Sequence, residues 1–326
     1  IEDLREAIAK DERSKGWDCR SDDVYVTHGV TEALQVLFAA FLEQGDTILA
    51  PGPHYPPYMA YPQMYGAKTV EYALDSDQGW DIDTDDIRRK MNDTVKFIVI
   101  VNPNNPTGNV AKPSTIMEVL SIAKDWPNCT IIADEIYDAL DFSGDQRSVA
   151  SLSDEVPVVT LNGVSKVHFA PGWRIGYMAF FDPKRTLQAP RDGAERILRS
   201  RLCASTPAQY GYLAGLNHDR LWLKERLRTI ERRVDLCMNR IEGIEGLSCN
   251  KPGGAFYLFP KIDNPSKYGS DKKFVLDLLH EEHVLVVHGS GFSPRYGSGH
   301  FRLVALAPED LLNEAFDRID RFVRSR

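Results

Sequence analysis

Over its first two hundred residues the chain alternates short β-branched runs with runs of helical periodicity, and that alternation restricts the fold more than any other feature. Residues 24–27, 47–50, 68–73, 96–101, 130–133, 158–161 and 174–181 read as strands, and residues 31–42, 84–91, 115–125 and 183–201 read as helices. A strand that returns to its own sheet in parallel needs a crossover, usually a helix. The pattern therefore predicts an α/β fold, with a mostly parallel seven-stranded sheet flanked by helices on both faces. Several of these strands run into polar loops rich in Asn, Gly, Pro and Asp. Ligands of open α/β sheets sit at the carboxyl ends of the strands, so these loops are where chemistry is expected.

After Gly215 the texture changes. Residues 219–243 form a long charged helical pattern with apolar Leu223, Leu227, Ile230, Val234, Cys237 and Ile241, long enough to bridge two domains. Strand-like runs at 255–259, 284–287 and 301–306 follow, with helices at 272–282 and 309–323, as in a smaller α+β unit. A chain of 326 residues suits two domains. The expected division is a large domain over 1–218, a linking helix over 219–245 and a small C-terminal domain over 246–326. Ile1, Leu4 and Ile8 lie at helical spacing, so the chain opens inside an amphipathic helix, and residues upstream of Ile1 are expected.

Composition excludes several classes. Apolar residues make up 43%, charged residues 26% and aromatics 10%, which no collagen-like or disordered chain shows. With 39 Lys and Arg against 47 Asp and Glu the net charge is −8, a poor match for nucleic acid or an anionic membrane. The longest apolar run, 36–42, falls far short of the ~20 residues of a membrane span, and no signal peptide is expected. The five cysteines, at 19, 129, 203, 237 and 249, are odd in number and never closer than twelve residues. They make neither a disulfide framework nor a metal knuckle, and a cytoplasmic location is expected.

The chemistry gathers at strand ends. Ser165-Lys166 precedes Pro171-Gly172-Trp173-Arg174-Ile175-Gly176 between two strands, where a lysine under a glycine-rich turn can be desolvated into a nucleophilic amine. A solvated surface loop is the plainer reading. Asp134-Glu135-Ile136-Tyr137 follows strand 130–133. Asn102-Pro103-Asn104-Asn105-Pro106-Thr107-Gly108 follows strand 96–101, its backbone fixed by two prolines and a glycine. Caps and turns would use the same residue types, but their placement at the ends of one sheet argues for a shared cleft. In Thr27-His28-Gly29-Val30-Thr31-Glu32-Ala33 a strand turns into a helix, whose free N–H groups form an anion site. Pro51-Gly52-Pro53-His54-Tyr55-Pro56 holds an aromatic ring after another strand.

Taken in order, GVTEA, PHYP, NPNNPTG, ADEIY, SK with PGWRIGY, and FRLVAL resemble the class I/II aminotransferases, which are fold-type I enzymes dependent on pyridoxal 5′-phosphate. The resemblance covers essentially the whole chain. Through RLCASTPAQ, KPGGAFYLFPKID and HEEHVLVVHGSGF it is nearest to bacterial and archaeal alanine and aspartate aminotransferases. It implies that Lys166 forms the Schiff base and later serves as general base, and that Asp134 pairs with the pyridine nitrogen. Tyr137 and Asn105 would bond the 3′-oxygen and Tyr55 would stack on the ring. Val30, Thr31, Ser165 and Arg174 would hold the phosphate. Arg302, with Asn105, would bind the substrate carboxylate. The implied reaction moves an amino group from an L-amino acid, alanine or aspartate-like, to a 2-oxo acid such as 2-oxoglutarate by a ping-pong mechanism in a homodimer. Thr31 stands where some aspartate-specific relatives have lysine, which favours alanine or broad specificity. The resemblance also implies upstream residues completing the small domain. A C–S β-lyase on the same scaffold and a non-catalytic sensor domain are the rival readings.

Other signals carry less. His280 and His283 are three apart, not the four of a zinc helix motif, and no metal site is expected. Gly289-Ser290-Gly291 lacks the third glycine of a dinucleotide fingerprint. His28, His54 and His168 read as structural, Cys203 as core packing, and Gly253-Gly254 as a tight turn.

Overall fold

The computed structural model describes residues 1–144 and 146–326. Its strands are β1 Val24–Thr27, β2 Thr47–Gly52, β3 Lys68–Asp75, β4 Asp81–Ile82, β5 Val95–Val101, β6 Thr130–Asp134, β7 Val158–Gly163 and β8 Gly176–Phe181 in the large domain. The smaller C-terminal domain adds β9 Leu247–Ser248, β10 Tyr257–Leu258, β11 Lys261–Ile262, β12 Val287–His288 and β13 Phe301–Val304. Its helices are α1 Glu2–Ser14, α2 Gly29–Phe41, α3 Pro57–Gln63, α4 Thr84–Lys90, α5 Pro113–Lys124, α6 Val149–Leu152, α7 Gln188–Ser200, α8 Thr206–Asn217, α9 Leu221–Glu242, α10 Asp271–Glu282 and α11 Glu309–Arg324.

The main sheet has the order β1-β8-β7-β6-β5-β2-β3-β4. The pairs from β7 through β3 are parallel, while β1, β8 and β4 add antiparallel edges. The sequence pattern predicted seven strands; the described residues form eight. The addition is the two-residue β4, bound to Leu74 and Asp75 of β3 and too short to leave a periodic trace.

Strands β6 and β7 are buried throughout, as expected where helices cover both faces. Alternation sorts the side chains. Phe97, Val99, Ile132, Val159 and Met178 pack beneath Leu34, Leu37 and Phe38 of α2 and Leu198 of α7. On the other face Ile98, Ile100, Ile131 and Tyr177 meet Leu4 and Ile8 of α1, Ile116 and Val119 of α5, and Tyr212 of α8. From β2 the chain moves to β3 on one side, and from β5 it moves to β6 on the other. The carboxyl ends of β2 and β5 therefore diverge and open a crevice at the switch in strand order.

Helix α9, 22 residues and about 33 Å long, leads into the small domain. Its Ile230, Val234, Cys237 and Ile241 share a core with Phe274, Phe301, Leu312 and Phe316. That core also takes in Ile136, Tyr137, Leu140 and Val167, so the small domain packs against the loops at the end of the sheet.

Candidate active site

A cavity of about 190 Å³ opens at the switch point. Val30, Thr31, Tyr55, Asn105, Asp134, Tyr137, Ser165, Lys166 and Arg174, the residues singled out by sequence around a cofactor, all line it, together with Val101, Ile136 and Pro171. Arg302 joins through a side chain: its Nη1 donates to Asn105 Oδ1 at 2.8 Å.

Each element delivers its residue for a physical reason. Strand β6 ends at Asp134, which is 4% exposed. Burial pushes this carboxyl up to about 6, although the Tyr58 hydroxyl donates to its Oδ2 at 2.7 Å and the Ile136 amide to its Oδ1 at 3.3 Å. Lys166 is lowered from the usual lysine value, first by burial and then by the nearby charge of Arg302; Asp134 opposes the lowering. The amine lies 5.9 Å from the centre of the Tyr137 ring. Lysine in this setting is more often neutral, hence more nucleophilic, than one in water.

Asn105 sits in a loop closed on itself. Asn104 Oδ1 accepts from the Thr107 amide at 3.2 Å and hydroxyl at 2.9 Å, and Asn102 Oδ1 accepts from the Ala111 amide at 3.0 Å. Gly108 follows with φ +70°, and a Cβ there would lie 2.5 Å from Pro252. Its carbonyl accepts from the amides of Gly253 and Gly254 at 3.0 and 2.9 Å, so the glycine pair makes a close turn against the Asn105 loop.

Another part of the cavity forms where α2 begins. The first-turn amides of a helix lack carbonyl partners within it, and Val30 and Thr31 lie in that turn. Gly29 has φ +77°, and a Cβ there would lie 2.5 Å from Arg174 Nη2. Arg174 itself is left-handed at φ +53°, which is why β8 starts at Gly176 rather than at 174 as the sequence pattern predicted. Its guanidinium donates to the carbonyls of Pro171 at 2.7 Å and His28 at 3.2 Å, which park it beside the helix terminus.

Three neighbours were not legible in sequence. Tyr58 bonds Asp134; its spacing of three residues from Tyr55 was the available signal. Tyr257 meets Tyr137, hydroxyl to hydroxyl, at 2.9 Å. Lys15, the residue that caps the C-terminus of α1, ties the segment after β6 from below, at 2.6 Å from Glu12 and 2.8 Å from Asp138. The histidines stand apart from the cavity lining. His28 bonds Glu32, His54 lies 3.3 Å from the Glu71 carboxylate, and His168 packs on Tyr212 and Trp222. Cys203, expected in the core, is exposed, because the chain leaves α7 there before α8 begins.

The family described as "Aminotransferase class I and II" matches residues 1–319. A "Glutamate-pyruvate aminotransferase AlaA" of Haemophilus influenzae is 38% identical over 325 residues, 98% of this chain and 80% of that one. Among solved structures, an alanine aminotransferase from Pyrococcus furiosus superposes with a TM-score of 0.97 at 48% identity, over 100% of this chain and 82% of that one. An aspartate aminotransferase variant of Thermus thermophilus gives a TM-score of 0.90 at 29% identity, over 99% and 82%. A lysine, a carboxylate and a helix terminus with free amides meet in one cavity of a sheet shared with such relatives along nearly its whole length, and the chain belongs to the class I and II aminotransferases.

Proposed function

We propose that this aminotransferase uses pyridoxal 5′-phosphate, held in the cavity between α2 and β6, to move the amino group of alanine to a 2-oxo acid such as 2-oxoglutarate. The observation that carries the reading is the joint placement of Lys166, lowered by burial, and Asp134, raised by burial, in one cavity with Arg174 at a helix N-terminus. A buried carboxylate without a cationic partner is costly, and a protonated ring nitrogen would supply one. The residues present fit the group. The Val30 and Thr31 amides, Ser165 and Arg174 would hold the phosphate; Tyr55 would cover the ring; Asn105 and Tyr137 would donate to its 3′-oxygen.

The cofactor, when bound, supplies an electron-withdrawing ring conjugated to the substrate nitrogen. Lys166 would hold the group through its aldehyde, and its free amine would serve as the base that takes the proton from the substrate's Cα. Asp134 would pair with the ring nitrogen and keep it protonated. Arg302, on the small domain, clamps the α-carboxylate with a planar fork matched to two oxygens. The donor follows the relatives, whose names give alanine and the glutamate–pyruvate pair. We extend the proposal to the division of the chain at 1–218, 219–245 and 246–326 and to a homodimer. Phe169, Trp173, Leu202 and Tyr210 are large apolar side chains exposed around the Lys166–Arg174 loop and the start of α8, a surface suited to a second copy. Unpaired cysteines favour the reducing cytoplasm.

The test is borohydride reduction of the loaded protein with peptide mapping, followed by half-reactions with alanine and with 2-oxoglutarate. Label at Lys166, with amino transfer that stops after one turnover when no acceptor is given, is expected. Label at another residue, or continuous release of ammonia from the amino acid alone, would overturn it.

A further inference from the structure

Tyr257 lies on β10 and Arg302 on the neighbouring β13. The register pairs Tyr257 with Val304, so Arg302 is the diagonal neighbour on the same face. Diagonal pairs are within reach of aromatic and long side chains, and the Arg302 guanidinium lies 4.6 Å from the centre of the Tyr257 ring and 4.7 Å from that of Phe292. Arg302 Nη1 donates to Asn105, while its buried Nε has no hydrogen-bond partner among the described residues, as a clamp awaiting an acceptor would. At the other end of the same ring the Tyr257 hydroxyl meets that of Tyr137 at 2.9 Å, and both are buried. One side chain thus touches the carboxylate clamp with its face and the 3′-oxygen donor with its tip.

We propose that Tyr257 is a positioning residue with two separable handles, its ring fixing Arg302 and its hydroxyl setting the donor strength of Tyr137; this rests on the site reading given above. When the Tyr137 hydroxyl donates a hydrogen bond to an oxygen in the cavity, the bond between the two hydroxyls is donated by Tyr257. A hydroxyl that receives such a bond is polarised into a better donor. The charged and titratable groups facing the pair are Tyr55 and Arg302 around Tyr257, and Asp134, Lys166 and Arg302 around Tyr137. Each stays in place when only the Tyr257 hydroxyl is removed.

The experiment uses the protein loaded with pyridoxal phosphate and reads two things: the pH midpoint of the bound cofactor's absorbance, and the affinity for propanoate, which is alanine without its amino group. Tyr257→Phe is expected to raise the midpoint by roughly 0.3–0.6 pH, a fraction of one charge-assisted bond, with propanoate affinity held within about twofold. Tyr257→Leu removes the ring as well and is expected to weaken propanoate by roughly 3- to 30-fold, the range of a cation–π contact. In a Tyr137→Phe background Tyr257→Phe should no longer move the midpoint. A midpoint in Tyr257→Phe within about 0.1 pH of the unaltered protein overturns the proposal, as does an equal displacement in the Tyr137→Phe background. If Tyr257→Leu fails to fold, Tyr257→Phe and the double variant still decide the hydroxyl's role. An unaltered protein that takes up no cofactor overturns the site reading itself; a loaded protein indifferent to Tyr257 overturns the proposal alone.

Discussion

Replacing Asp134 with Asn should stabilise the cofactor-free protein while abolishing its activity. The carboxyl rises from an ordinary 3.8 to about 6, and burial is the cause. A folded acid with a raised value binds protons more tightly than the unfolded chain does. Between those two values the native state therefore holds more protons, and stability falls as pH rises through that window. A tenfold difference in proton affinity between the two states is worth ~1.4 kcal/mol, so the whole window costs about 3 kcal/mol at neutral pH. Asn cannot ionise and escapes this loss. The difference in unfolding free energy between variant and unaltered protein should thus grow in favour of Asn from about pH 4 to 6 and then level off. Urea unfolding of both proteins across pH, free of cofactor, measures it. Loading the unaltered protein should recover part of the loss, since a cationic ring nitrogen favours the ionised acid. A difference that stays constant with pH, or grows in favour of Asp134, would refute the reasoning: the carboxylate would then be well solvated and its burial without consequence.

Three further outcomes are expected. Lys15→Met strands Glu12 and Asp138 and should cost about 3–5 kcal/mol at neutral pH, less at low pH as Asp138, held low by Lys15, takes up a proton; thermal melts at two pH values compare them, and a cost under about 1 kcal/mol would mean that the acids are solvated. Gly29→Ala places a Cβ against Arg174 at a left-handed position, at a cost of ~1–2 kcal/mol. It should weaken cofactor binding by roughly tenfold or more, which fluorescence titration reads against an unchanged far-ultraviolet spectrum. Arg302→Gln should lower kcat/KM for alanine by about 10²- to 10⁴-fold, the worth of two charge-assisted bonds, with the bound cofactor's absorbance retained; a loss below tenfold would remove Arg302 from the carboxylate.

The loops around the cavity could be read in sequence because each follows an apolar strand, and a strand's carboxyl end fixes where its next residues point. Asp134, Asn105 and Lys166 needed no knowledge of tertiary partners. Tyr58, Tyr257 and Lys15 did: they reach Asp134, Tyr137 and Asp138 from across the chain, and local periodicity carries no trace of such contacts. Three helices escaped: α6 is only four residues long, and α3 and α8 are rich in helix-breaking residues. α3 contains Pro57 and Pro62, and α8 contains Gly211 and Gly215, all poor helix formers. In α8 the third dimension explains one of them. A Cβ at Gly211 would lie 2.4 Å from Trp173, so the helix gives up propensity to admit the ring beside the Arg174 turn. The helix after β8 begins later than its sequence pattern predicts for a local cause: Asp182 accepts from the amides of Thr186 and Leu187, which delays α7 to Gln188.

The short segment from Asp134 to Leu140 shows how a strained electrostatic position is kept in place. Asp134 faces the cavity and is held by Tyr58. Its neighbour Glu135 is fully buried on the other side, pushed up to about 8 by burial and by Glu12, with one oxygen accepting from the Val149 amide at 2.8 Å. Asp138 stays low despite its burial because Lys15 lies beside it. The carbonyl of Leu140 accepts from the small domain's Ala255 amide at 2.7 Å. Of these three acids within five residues, Asp134 and Glu135 are buried and the charge of Asp138 raises Glu135 further, and a loop free to move would swing them into water. Pinned from α3, α1 and the small domain, the segment cannot relax that way without breaking bonds at several points. The unfavourable burial of Asp134 is thus retained until a cation arrives to pair with it, so a fold that leaves this carboxyl costly when alone binds a cationic ring more strongly than one that let it reach solvent.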